Sequence, residues 1–189
     1  MKIKKLASLF MCIALVVLIG CSHTEDRRIV RKNQLNSWES EYIAIDNMHD
    51  NLFDLKLFID NRKYKTTEKI SIWATIEYIG EDNEITVWSG DPYIHFYITD
   101  EKEFNTGGLT FTILKPTYFK KGLIYSFDFH KNGGYSNDDP NADFWKKFYS
   151  EKDLFLPVGK YQIKVSTAFS LSPNGGDYSQ YEEIEIEVE

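Results

Sequence analysis

The stretch Ile70-Ser71-Ile72-Trp73-Ala74-Thr75-Ile76-Glu77-Tyr78 decides the fold class of this chain. Successive side chains of a strand point to opposite faces, so Ile70, Ile72, Ala74, Ile76 and Tyr78 share one face while Ser71, Thr75 and Glu77 lie opposite. Period-two alternation rich in β-branched residues predicts a half-buried strand. Upstream, Leu55, Leu57 and Ile59 share one face of an earlier strand. Downstream, Gly80-Glu81-Asp82-Asn83 supplies turn residues before Ile85-Thr86-Val87-Trp88 resumes an extended run, which is a hairpin signal.

The same pattern recurs toward the C-terminus. Asp91-Pro92 breaks the chain before Ile94, Phe96 and Ile98 line one side of a strand whose other side carries Tyr93, His95 and Tyr97. Phe111 and Ile113 mark another strand. Lys120-Lys121-Gly122 then turns the chain into Leu123, Tyr125, Phe127 and Phe129. Tyr161, Ile163, Val165, Thr167 and Phe169 follow Gly159, and Ile184, Ile186 and Val188 close the chain between glutamates. About eight short strands separated by turn chemistry predict an all-β, Ig-like antiparallel sandwich. One segment departs from the pattern: Phe144, Trp145 and Phe148 are spaced as on a helix after Asp139-Pro140-Asn141. A short helix over residues 141–150 is expected there, with its aromatics buried at one end of the sandwich.

The N-terminus carries an address. Lys2, Lys4 and Lys5 precede the apolar stretch Leu6 to Ile19, and Leu18-Ile19-Gly20-Cys21 reads as a lipobox. A basic start, a short apolar core and a small residue before the cut make a secretory signal. The stretch is shorter than the roughly 20 apolar residues of a spanning helix. Residues 1–20 are therefore expected to be a lipoprotein signal peptide and Cys21 the lipidated residue, anchoring the chain on the extracytoplasmic side of a cell membrane. Residues 21–50 are expected to be a lipidated leader and tether, with Arg27, Arg28, Arg31 and Lys32 near the headgroups, and residues 51–189 the sandwich domain.

Loss of the signal removes three lysines and no acid, taking the formal net charge from −7 to −10. So acidic a chain is a poor partner for nucleic acid, whose phosphates reward basic surfaces. Cys12 leaves with the signal and Cys21 is consumed by lipid, so no thiol is left for a disulfide or for thiol catalysis, and the domain must be held by burial.

Three groups of residues are candidate sites. Trp73, Trp88, Tyr93 and Tyr97 could form an aromatic face on which sugar rings stack, pointing to a glycan of the envelope. Asp139, Asn141 and Asp143 copy the first three ligand spacings of an EF-hand loop, but Phe144 stands where that loop needs glycine and Ser150 where it needs a bidentate acid. Turn and helix-capping chemistry accounts for the same residues. His130 and Asp128 share one side of a strand and could orient an imidazole, while His49 and His95 stand apart. No nucleophile elbow, zincin or P-loop motif occurs, so no enzyme and no cofactor is expected.

From about Ile70 to Phe169 the layout resembles the Ig-like intracellular proteinase inhibitor family of bacilli, the BsuPI type. The resemblance is carried by Ile76-Glu77-Tyr78-Ile79-Gly80, Ile85-Thr86-Val87, Ser89-Gly90-Asp91, the run Tyr93 to Asp100, Lys121-Gly122 and Leu156-Pro157-Val158-Gly159-Lys160-Tyr161. Gly133 to Asp153 looks like an insertion in that layout. The resemblance implies an Ig-like sandwich and, as one function, protease inhibition through an extended loop such as residues 131–143. The expectation for the whole chain is a non-catalytic binding or interaction module with a protein or glycan partner.

Overall fold

The computed structural model describes residues 27–47, 50–100, 102–108 and 111–189, the side chain of Thr112 excepted. The signal peptide, Cys21 and His49 lie outside the described residues. In chain order the elements are β1 (Arg27–Val30), α1 (Lys32–Glu41), β2 (Ile43–Ile45), β3 (Phe53–Ile59), β4 (Lys63–Tyr64), β5 (Ile72–Tyr78), β6 (Glu84–Asp91), β7 (Ile94–Thr99), β8 (Phe111–Lys120), β9 (Ile124–Asp128), α2 (Ala142–Ser150), β10 (Gly159–Thr167), β11 (Phe169–Ser172), β12 (Gly175–Tyr178) and β13 (Tyr181–Val188).

The strands form three sheets, ordered β1-β9-β5-β3-β2, β4-β13-β10-β7 and β12-β11-β6-β8. The last two are stretches of one layer. The chain passes directly from β6 to β7 at Asp91-Pro92 and from β10 to β11 at Ala168, and the two crossings are tied by the Ala168 N–H to the Tyr93 carbonyl at 2.9 Å. Among the described residues the strand pairings are antiparallel except that of β4 with β13. A short strand parallel to the C-terminal one, with β3, β5 and β9 in the opposing sheet, gives the Ig-like layout. The result is an all-β sandwich.

Alternation explains the core. On β5, Ile72, Ala74, Ile76 and Tyr78 are buried against Leu55, Leu57 and Ile59 of β3 and Tyr161, Ile163, Val165, Ile184, Ile186 and Val188 of β10 and β13. Each such side chain contributes roughly 1.5–3 kcal/mol of burial. Ile70 lies just outside β5 and makes an isolated bridge with Leu154. On β13, Glu183 and Glu185 point outward as the alternation requires.

The segment read as a tether is different. Its residues 27–47 are part of the fold: β1 pairs with β9, β2 pairs with β3, and α1 lies over the outer face of the first sheet. The reason is a second apolar layer. Val30 and Leu35 are buried with Phe58 of β3 and Ile124 of β9, and Trp38, Ala44 and Trp73 pack against them. Two residues of the basic cluster serve the same layer, Arg28 pairing with Asp128 and Lys32 with Glu77 at 3.6 Å, while the Arg27 guanidinium meets the main core, 4.9 Å from the Tyr125 ring centroid.

Beside this layer, Lys56 is only 14% exposed and meets Glu39 at 2.8 Å, Asp46 at 3.1 Å and Asp54 at 3.7 Å. Burial works against its charge, but hydrogen bonds to Glu39 and Asp46 outweigh burial and hold its pKa above the ordinary lysine value. Asp54 is at the disadvantaged end of the group, and burial raises its pKa despite the nearby lysine. A carboxyl with a raised folded-state pKa costs stability once pH exceeds that value, and the cost disappears as pH falls below the unfolded value of 3.8. Asp54→Asn is therefore expected to raise Tm at pH 7 and to lose that advantage as pH falls through the acid range. Thermal melts of both proteins from pH 7 downward read this directly; a variant less stable than wild type at pH 7 would show Asp54 to be a net stabiliser.

Candidate functional site

A concavity lies at the end of the sandwich where β7 and β10 meet α2. Asp100 follows β7, and its Oδ1 accepts the backbone N–H groups of Lys102 and Phe104, both at 2.8 Å. Thr106 ties the returning loop down, its N–H donating to the Ile98 carbonyl at 3.0 Å and its Oγ1 accepting from the Ile98 N–H at 2.9 Å. This loop places Phe104 against the Tyr161 ring of β10 at 5.3 Å.

α2 supplies the second wall. Asp139 Oδ1 accepts the Asn141 N–H at 2.7 Å and its carbonyl accepts the Ala142 N–H at 2.9 Å, opening the helix. Phe144, Trp145, Phe148 and Tyr149 then occupy one side, in keeping with i, i+1, i+4 and i+5 spacing. Phe104 meets Trp145 at 5.2 Å and Phe148 at 5.7 Å. At the far end of α2 the Lys131 ammonium donates to three carbonyls, Phe148 at 2.8 Å, Glu151 at 3.1 Å and Asp153 at 2.7 Å. It also lies 4.2 Å from the Phe148 ring centroid. Burial lowers its pKa, opposed by the charges of Glu151 and Asp153.

The third wall is the segment before α2. A Cβ on Gly133 would come within 2.2 Å of the Tyr149 hydroxyl, so glycine is what lets this backbone lie against that ring.

The enclosed space is about 610 Å³ and is lined by the aromatic rings of Phe104, Tyr135, Phe144, Trp145, Tyr149 and Tyr161, with Asp100, Glu103 and Asp139 among its polar groups. Burial raises the pKa of Tyr149, and burial with the charge of Asp100 raises that of Tyr161, so both remain neutral phenols in the physiological range. A concave space of this size that mixes aromatic walls with polar groups suits a small polar organic ligand or a protruding side chain.

The aromatic residues singled out in the sequence do not assemble into one face. Trp73 is under α1, stacked on Phe58 at 5.4 Å and edge-on to Tyr42 at 4.8 Å. Trp88 lies on β6 between Pro116 of β8 and Ser170 of β11. Tyr97 is on β7, in the other part of that layer, with its hydroxyl 3.1 Å from His95 Nδ1. Tyr93 is buried, edge-on to Phe119 and Phe127. It precedes the first paired residue of β7, so strand alternation does not govern its direction.

Asp139 and Asn141 are engaged in opening α2, and Asp143 lies in its first turn. Among the described residues no group of three or more His, Cys, Asp or Glu side chains is arranged to hold a metal ion. Asp128 is paired with Arg28, and both Asp128 and His130 border a smaller hollow of about 240 Å³ beside Lys69 and Asp153. There Lys69 binds Asp153 at 2.8 Å, and this hydrogen bond lowers the Asp153 pKa.

The helix over 141–150 is present as α2, but its aromatics are not all buried: Phe148 is, while Phe144 is 37% exposed toward the pocket. Sequence reasoning placed Phe144 and Trp145 on a capping helix without seeing that Phe104, Tyr135 and Tyr161 would meet them. Phe104 could have been flagged as an aromatic in an otherwise polar loop.

No protein-family model matches the chain, and no curated protein matches it. Among solved structures, a β-glucosidase, EmGH1, from Erythrobacter marinus is similar at a TM-score of 0.33 and 12% identity, over 72% of this chain and 15% of that one. The chain thus spans a small part of that protein's length. Among the described residues no helix is long and apolar enough to cross a membrane.

Proposed function

We propose that this chain is a lipid-anchored, extracytoplasmic, non-catalytic binding module, attached through Cys21 and using the aromatic pocket beside α2 as its ligand site. The observation that carries the reading is the pocket: accessible rings held on a framed helix, a capped loop and a sandwich strand. Sites held by rigid supports bind with less ordering cost. The pocket is built largely from the Gly133 to Asp153 segment, the stretch that looks like an insertion in the BsuPI-type layout.

The anchor follows from the lipobox and the absence of another thiol in the mature chain. Only five residues separate Cys21 from β1, so their fully extended reach is about 20 Å. The module would sit close to the membrane surface, where envelope components on the same side are its accessible partners.

Expression in a bacterial host tests both parts. Wild type is expected in the membrane fraction and Cys21→Ser in the soluble fraction, still able to sediment with isolated cell envelope. Adding Trp145→Ala to Cys21→Ser should abolish that sedimentation, whereas adding Trp88→Ala should leave it intact. Failure of wild type to incorporate labelled palmitate, with Cys21→Ser as the unlabelled control, would remove the anchor. Undiminished envelope binding by the Trp145 variant would remove the pocket.

A further inference from the structure

The lining of the pocket has a charge sign. Among the described residues around it stand Asp100, Glu103 and Asp139, and no lysine, arginine or histidine. The walls include aromatic rings that are partly accessible, Tyr135 being 39% and Phe144 37% exposed, and a ring face carries the negative lobe of its quadrupole. Burial keeps Tyr149 and Tyr161 neutral, so neither adds a charge to the lining. One oxygen of Asp100 and one of Asp139 accept backbone N–H groups of their own loops, and Asp100 also borders a smaller hollow with Lys160.

We infer that the pocket takes a cationic ammonium group carried on a larger molecule. This rests on the pocket being the ligand site. A positively charged head placed among ring faces is attracted by their quadrupoles, most strongly by tryptophan, and the carboxylates add a longer-range pull. An anionic ligand meets repulsion from all three acids. A neutral sugar can use the rings but gains nothing from the net charge. The volume of about 610 Å³ exceeds what an ammonium head fills, so the cation arrives on a body that contacts the rest of the lining. Primary and quaternary ammonium groups share this chemistry, and quaternary ones gain more from ring contact because they are less strongly hydrated.

The test uses the mature chain with Cys21→Ser, which contains every described element, and the indole N–H signal of Trp145 in proton–nitrogen spectra. The chain has four tryptophans, and Trp145→Phe assigns the signal. Choline chloride and ethanolamine hydrochloride are titrated against sodium chloride at matched ionic strength, with N-acetylglucosamine as the neutral probe. The expected result is a saturable shift of Trp145 with choline or ethanolamine beyond that of sodium chloride, weakened by added salt. Glu103→Gln should weaken it about two- to fivefold, the scale of one solvent-screened charge contact. Choline acting more strongly than ethanolamine marks a quaternary preference; the reverse marks a primary amine.

A saturable shift with N-acetylglucosamine and none with either cation would overturn the cationic assignment while leaving the pocket a ligand site. No shift with any of the three would overturn both this inference and the pocket's role.

Discussion

Phe53→Ala is expected to lower the free energy of unfolding by about 3–5 kcal/mol, the cost of a large aromatic removed from a core that cannot collapse around the gap. Phe53 is 0% exposed. Its ring meets Tyr78 at 5.6 Å, Phe119 at 5.4 Å, Phe169 at 5.3 Å and Tyr178 at 5.3 Å. Those partners belong to β5, β8, β11 and β12, so one side chain joins the five-stranded sheet to the short strands of the opposing layer. The neighbouring rings are themselves packed, Phe169 on Tyr178 at 5.2 Å and Phe119 on Tyr125 at 5.0 Å, and cannot all move inward. Denaturant unfolding would show a lower midpoint at unchanged slope. A loss under about 1 kcal/mol would mean that the five-stranded sheet and the β12-β11-β6-β8 sheet do not share this aromatic junction.

The second large effect is expected from Lys131→Met, which keeps the apolar stem and removes the ammonium. Three carbonyls lose their donor together, those of Phe148, Glu151 and Asp153. Hydrogen bonds from a charged donor each contribute about 1.5–3 kcal/mol, and shared bonds on one ammonium are not additive, so a loss of about 2–4 kcal/mol is expected. The consequence is local as well as global. With the end of α2 released, Trp145 loses its fixed position beside Phe104, and binding at the pocket should weaken along with stability. Near-ultraviolet circular dichroism of the aromatic cluster and thermal melting measure the two effects. Lys147→Met is the contrast: its exposed pair with Glu151, at 3.9 Å one helical turn apart, contributes about 0.5 kcal/mol or less. Equal effects from the two substitutions would show that Lys131 does not hold the helix.

The sandwich was legible because strand alternation is local. Ile72, Ala74, Ile76 and Tyr78 declare an inner face within seven residues, and Tyr161, Ile163 and Val165 do the same. The covering of the outer face was harder to see, although its traces are present. Leu35, Trp38 and Tyr42 recur at helical spacing, and Phe58 and Trp73 place large rings where alternation expects polar residues. Each trace is weak alone, since only Leu35 of α1 is buried and the helix has no side-chain cap. What stabilises α1 is the face it covers, and that face exists only after β3, β5 and β9 have paired.

The pocket was beyond local reasoning for the same cause. Phe104 stands well before Tyr135, Trp145 and Tyr161 in the chain, the four are divided among loops, a helix and a strand, and each alone reads as an ordinary aromatic. Trp73, Trp88, Tyr93 and Tyr97 looked more like a set because they are close in sequence and in strands. Pairing distributes them to separate sheets and, for Tyr93, to the interior.

The sequence by itself determined the class of fold, the short helix after Asp139-Pro140-Asn141 and a core held by burial, because alternation, turn chemistry and helix starts act over a few residues. Only the tertiary structure decided which aromatic residues face open space, what becomes of the basic segment after Arg27, and where acids gather beside rings. Those outcomes depend on strand order and on which loop ends meet, and contacts between distant residues are fixed only when the two layers close.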